Sequence, residues 1–148
     1  MPSLTQLKTL PYPAKKIYEL VMDIEKYPQF LPWCKDARIV EKISANNLHA
    51  DFLVNFKNFF ESYRSDVKHG QNLDGSYFVD VVSIRGPFKK LVNQWQFFDD
   101  KNGGCEVKFF IEFEFNSLLL SKIASPIFER ATEKMMTAFE GRAQQLFR

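Results

Sequence analysis

Residues 105–115, CEVKFFIEFEF, alternate almost without fault. Cys105, Val107, Phe109, Ile111, Phe113 and Phe115 fall on one side and Glu106, Lys108, Glu112 and Glu114 on the other, with only Phe110 out of step. A period of two predicts a strand with one face in the interior and the other in water. The period then changes. From 118 to 147, Leu120, Ala124, Phe128, Ala131, Met135, Ala138 or Phe139, Arg142 and Leu146 recur at spacings of three or four, which predicts a helix with one apolar stripe. Thirty helical residues would reach about 45 Å, more than the roughly 33 Å of a ten-residue strand, so this helix can lie across a whole sheet. Pro126 is expected to kink or restart it.

Upstream the same two periods recur. Residues 3–10 read as an opening strand, and Pro13 suits the first turn of a short helix that carries Ile17, Tyr18, Leu20, Val21 and Ile24. Period-two segments follow, beginning with 37–43. In the next, Leu48, Ala50, Phe52, Val54 and Phe56 share a face. Phe59–Lys68, Tyr77–Ile84 and Leu91–Phe98 continue the series. Breaks are predicted at Ala45-Asn46-Asn47, Lys57-Asn58, Leu73-Asp74-Gly75, Arg85–Lys89 and the hairpin turn 100–104. Strand, short helix, antiparallel strands and a long final helix make an α+β chain with its helices on one face of the sheet. Sheets of six or more strands curl, so the helix and the curled sheet enclose a space, packed or hollow.

One stretch fits neither period. EKYPQFLPWC, residues 25–34, holds Tyr27, Phe30, Leu31 and Trp33 between two prolines. Each proline lacks an N–H and restricts the residue before it, so the segment is expected to be a stiff connector without secondary structure. Its aromatic load belongs to a wider excess: Phe occurs 16 times in 148 residues, well over twice the roughly 4% of ordinary usage. Phe has no polar handle, so the excess fills or lines apolar space.

The length suits one domain spanning 1–148. A net charge of +2 is too mild to indicate a nucleic-acid protein. Cys34 and Cys105 lack metal-ligand spacing and read as two buried thiols. No signal peptide, organelle presequence or membrane-length apolar run is evident, which points to the cytoplasm. Motifs for serine hydrolases, zinc peptidases, nucleotide binding or dinucleotide binding are missing. His49 and His69 fall where a general base would not reach a substrate and read as exposed. No enzyme activity, metal or cofactor is expected.

YPQFLPWC (27–34) after a short helix, GPFKKL (86–91) before a Trp-containing strand, FEF at 113–115 and FERATEKMMTAFEGRA (128–143) on the final helix resemble the coenzyme Q-binding family. That family lies within the START-related, polyketide-cyclase-like proteins of the helix-grip fold. The resemblance covers nearly the whole chain. It implies a long apolar cavity under the C-terminal helix, two short helices near the N-terminus, and a ligand of the polyprenyl-quinone type, with ubiquinone as the model. Bacterial members include one described as a ribosome-association toxin, and mitochondrial members are described as ubiquinone-binding proteins; the lack of a presequence looks bacterial. The implied protein is a carrier supporting respiratory electron transport, peripheral to the inner membrane. The alternatives are a ribosome-binding protein that blocks subunit association by contact with the large subunit, and a cyclase-like enzyme for which only Glu61 and Tyr63 are candidates.

Under that resemblance the expected cavity wall is Phe52, Val54, Phe56, Trp95, Phe97, Phe109, Ile111, Phe113, Phe128, Met135 and Phe139, which would serve equally as an ordinary core. A quinone offers acceptors, so donors are wanted at its head, and Tyr63, Asn93 and Trp95 are the candidates. Tyr27, Phe30, Leu31 and Trp33 form either the cavity rim or a plug at the end of the core. Arg85, Phe88, Lys89 and Lys90 offer either an exposed apolar tip with a basic collar for anionic lipid or RNA, or a solvated loop whose Phe tucks inward. Ser125, Pro126 and Gly86 are the expected points of motion if a lid must open.

Overall fold

The computed structural model describes residues 2–56 and 59–147, with the side chains of Phe56 and Phe59 outside that description. Seven strands form one antiparallel sheet: β1 (Ser3–Leu10), β2 (Cys34–Ser44), β3 (Asn47–Phe56), β4 (Phe59–Gln71), β5 (Tyr77–Arg85), β6 (Phe88–Asp99) and β7 (Cys105–Phe115). Their spatial order is β1-β7-β6-β5-β4-β3-β2. From β2 to β7 every strand pairs with its successor in sequence, and β1 closes the far edge against β7, Ser3 opposite Glu112 and Leu10 opposite Cys105. The predicted break at Lys57-Asn58 lies outside the described residues.

The chain crosses from β1 at one edge to β2 at the other through helix α1 (Ala14–Met22) and a 3-10 helix (Ile24–Gln29). The latter corrects the expectation of a connector without secondary structure. Pro28 sits inside it, which so short a helix tolerates because an i→i+3 ladder of two turns has few N–H groups to lose. The Lys26 N–H donates to the Asp23 carbonyl at 3.1 Å and the Phe30 N–H to that of Tyr27 at 3.1 Å, and these bonds hold its ends.

Irregular register within β2, at Arg64/Ser65 and at Phe88/Lys90 adds the local bend and twist that bulges introduce. The concave face so formed holds α2 (Leu118–Leu146), capped by the Ser117 hydroxyl, which accepts from the Leu120 N–H at 3.3 Å. Pro126 lies inside α2 and neither ends nor restarts it. The face that α2 turns to the sheet is Ala124, Phe128, Ala131, Thr132, Met136, Phe139 and Ala143. This differs from the predicted stripe by about one residue at its C-terminal half: Leu146 is exposed and Arg142 reaches Gln29 at 2.7 Å. Alanines set the phase, because they let the helix axis approach the sheet while Phe128 and Phe139 enter the gaps between them.

All inward positions of β7 are buried, as the alternation predicts. The inward faces of β3 (Leu48, Ala50, Phe52, Val54) and β6 (Leu91, Asn93, Trp95, Phe97) are buried with them.

Candidate functional site

Between the concave face, α2 and the aromatic connector lies a chamber of about 70 Å³. It is under the C-terminal helix and mostly apolar, but its volume is small for the long cavity expected. The inward side chains fill most of the space that the sheet and helix enclose.

Of the expected wall, Phe52, Val54, Trp95, Ile111, Phe128, Met135 and Phe139 line the chamber. Phe97, Phe109 and Phe113 do not: they are fully buried behind it. There Phe109 packs edge-on to Trp95 at 4.8 Å and Phe113 edge-on to Phe128 at 4.6 Å. The Phe56 side chain is outside the description. Sequence reasoning missed Val21, Ile24, Cys34, Val67, Val79 and Val81, which also face the chamber. The only signal for the three β4 and β5 valines was odd-numbered placement. Val82 and Ile84, exposed on the opposite face of β5, obscured it.

Tyr27, Leu31 and Trp33 of the connector line the chamber, and Phe30 stands behind them. Leu31 is buried, and Tyr27, Phe30 and Trp33 are half-buried. The Phe139 ring meets Phe30 at 5.0 Å, Tyr27 at 5.3 Å and Trp95 at 5.0 Å, so helix, connector and sheet share one side chain. The Tyr27 hydroxyl donates to the Val21 carbonyl, and the Trp33 carbonyl accepts from the Asn55 N–H at 2.8 Å. The connector is a wall that closes the chamber rather than an exposed rim.

All three candidate head-group donors face the chamber, but they are not equally available. The Trp95 indole N–H donates to Asn93 Oδ1 at 3.0 Å, and Asn93 Nδ2 donates to the Phe110 carbonyl at 2.9 Å. Among the described residues nothing hydrogen-bonds the Tyr63 hydroxyl, although its ring is held by Phe52 at 5.4 Å and Phe88 at 5.1 Å. Two places along the same inward face of β4, Ser65 Oγ is fully buried and also lacks a partner. Burial, then the nearby Cys34, pushes the Tyr63 phenol well above its ordinary range, and burial does the same to Tyr27. Among the described residues no carboxylate, imidazole, lysine or arginine lines the chamber.

Both cysteines are free and buried. Burial first, and neighbouring carboxylates second (Asp36 for Cys34, Asp99 and Asp100 for Cys105), push each thiol up to about 11 from an ordinary 9.0. The unfolded chain therefore releases these protons before the folded one. Folding stability is fully present below about pH 9 and falls as pH rises towards 11, with a limiting slope of about 1.4 kcal/mol per pH unit per thiol. Thermal melts between pH 7 and 11 should show the midpoint level to about pH 9 and declining beyond it. A midpoint unchanged at pH 10.5 would contradict this.

Of the two readings of Arg85, Phe88, Lys89 and Lys90, the structure takes the one in which the phenylalanine tucks inward. The turn between β5 and β6 is only Gly86-Pro87, and an irregularity at Phe88/Lys90 separates the inward Phe88 from the inward series that starts at Leu91. Phe88 is buried against Phe115 at 4.8 Å and Phe128 at 5.3 Å. Lys89 and Lys90 pair with Glu114 and Glu112 at 3.3 and 2.7 Å, while Arg85 is exposed. None of the four lines the chamber. The histidines are half-buried and engaged rather than exposed: His49 bonds Asp66 at 3.0 Å and His69 bonds the Tyr18 hydroxyl at 2.8 Å. Among the described residues no cluster of ligating side chains is placed to hold a metal. No described helix is long and apolar enough to cross a membrane.

A seven-stranded antiparallel sheet gripping one long helix over an apolar chamber defines a helix-grip domain of the START type. A START superfamily protein from Mycobacterium smegmatis superposes with a TM-score of 0.79 at 16% identity, covering 97% of this chain and 98% of that one. The chain belongs to the family described as polyketide cyclase / dehydrase and lipid transport, which it matches over residues 10–140. Among curated relatives, the ribosome association toxin RatA of Rickettsia prowazekii is 43% identical over the full length of both chains. The mitochondrial coenzyme Q-binding protein COQ10 homolog B of Xenopus laevis is 28% identical over 97% of this chain and 58% of its own length.

Proposed function

We propose that the protein binds a polyprenyl quinone, ubiquinone or a close analogue, in the chamber beneath α2 and carries it without chemical change, in support of respiratory electron transfer and in transient contact with a membrane. The observation that carries this reading is the Tyr63 hydroxyl, which has no hydrogen-bond partner among the described residues and faces a mostly apolar chamber. A quinone head asks for a donor to its carbonyl, and its tail asks for apolar wall. The likeness to a coenzyme Q-binding protein adds support.

At about 70 Å³ the chamber is far below the roughly 300–1,000 Å³ of drug-sized ligand pockets, so loading requires α2 or the connector to move outward. Pro126 is the weak point of α2, since it cannot donate to the carbonyl one turn back.

The test is organic extraction and mass spectrometry of protein purified without detergent from ubiquinone-producing cells, followed by quinone titration of the Tyr63→Phe variant. Stoichiometric quinone is expected, with about a tenfold loss of affinity on removing the hydroxyl, as for one hydrogen bond in a dry site. The second reading is ribosome association, favoured by the full-length likeness to a protein of that name. A lipid-free protein that refuses quinone and co-sediments with large ribosomal subunits would replace the first reading with the second.

A further inference from the structure

The outward sector of α2 changes character along its length. Leu118, Leu119 and Ile123 are 86, 70 and 56% exposed, with Pro126 also exposed beside them. At 3.6 residues per turn the same sector continues as Glu129, Arg130, Glu133 and Lys134. From Asn116 to Phe128 the sequence has no acidic residue and one cation, the exposed Lys122, which falls within the apolar sector. Buried Ala124 and the chamber residue Phe128 lie on the opposite face of the same turns.

We propose that the first turns of α2, Leu118–Pro126, dock on an anionic lipid bilayer. A protein partner would favour an interface core free of charge. A lysine amid exposed aliphatic side chains instead suits a bilayer surface, where the stem lies in the acyl boundary and the ammonium reaches lipid phosphates. The arrangement puts the apolar sector in the headgroup region, with the chamber one helix diameter away. Its use in loading the chamber rests on the carrier reading; the docking itself does not, because it needs no quinone.

The test is co-sedimentation of the full chain with quinone-free vesicles of phosphatidylcholine alone or with 30% phosphatidylglycerol (vesicle composition about as in anionic membranes). The wild-type protein should pellet with the anionic vesicles. Leu119→Glu combined with Ile123→Glu should lower the partition coefficient at least tenfold with an unchanged thermal midpoint, since both side chains face solvent. Lys122→Gln should lower it about fivefold, the equivalent of one basic residue at an anionic surface. Wild-type protein left in the supernatant, or a double variant that binds like wild type, would overturn the proposal. So would a concentration-dependent dimer, seen by sedimentation velocity and dissolved by the double variant, which would assign the surface to a second copy of the chain. Loss of quinone binding with vesicle binding intact would count against the carrier reading alone.

Discussion

Phe139→Ala is expected to lower the free energy of unfolding by about 3–5 kcal/mol, the range for deleting a buried aromatic ring when the site cannot collapse. Collapse is blocked here because the ring is 2% exposed and is shared by three elements, meeting Phe30 and Tyr27 of the connector and Trp95 of β6 within 5.3 Å. Each neighbour is held elsewhere: Trp95 by Asn93, Tyr27 by the Val21 carbonyl, and Phe30 by the Arg142 guanidinium 5.4 Å from its ring centre. The deletion should therefore merge with the chamber that Phe139 lines and leave an enlarged cavity. Equilibrium denaturation in urea measures the loss. A change below about 1.5 kcal/mol would mean that α2 settles onto the sheet and that the three elements are not rigidly braced.

Gly86→Ala is the second large effect, expected at about 2–4 kcal/mol from left-handed backbone and steric overlap together. Gly86 has φ +135°, and a Cβ there would stand 2.5 Å from Tyr63 Cβ and 2.9 Å from Tyr63 Cα. A backbone atom cannot swing aside, so β4 or the β5–β6 turn must shift. Gly75→Ala supplies the comparison. Gly75 has φ +92° but nothing within 4 Å of the added carbon, so that variant should lose only the conformational part, about 1 kcal/mol. Thermal melts of both variants separate the two contributions, and equal losses would show that overlap with Tyr63 is relieved at no cost. Because the Tyr63 hydroxyl faces the chamber without a partner among the described residues, Gly86→Ala should also disturb quinone affinity, whereas Gly75→Ala should leave it alone.

The sheet was legible wherever burial falls on one face only. In β7 every inward residue is apolar and all but one outward residue is charged, so register and orientation follow from the letters. In β5 apolar side chains occupy both faces: Val79 and Val81 inward, Val82 and Ile84 outward. The chamber-facing set could not be separated there. The phase of α2 was ambiguous for a similar reason. The pairs Ala131-Thr132, Met135-Met136 and Ala138-Phe139 offer two apolar or small choices at each turn, and closeness of approach at Ala124 and Ala143 decides between them. For Phe88 the letters left an exposed tip and an inward-tucked ring both open, and the two-residue turn decides for the second, since so short a connection leaves no loop to carry the ring into solvent. Chamber volume was beyond reach in kind. It is a small difference between the space enclosed by backbone and the space occupied by side chains, and no local pattern encodes it.

The edge pairing of β1 with β7 bears on how the chain is made. The meander from β2 to β7 can zip one hairpin at a time, because each strand finds its neighbour as soon as that neighbour has been synthesised. Ser3–Leu10 emerges before the other six strands yet must wait for 105–112 before it has a partner. Such distant pairing is closed late and slowly. During translation the growing β-meander therefore has two unfinished borders, the edge where β1 will dock and the concave face awaiting α2. Both are completed only by the last third of the polypeptide. A nascent chain stalled before residue 105 would expose its whole prospective interior, and chaperone demand should be greatest there rather than at the N-terminus.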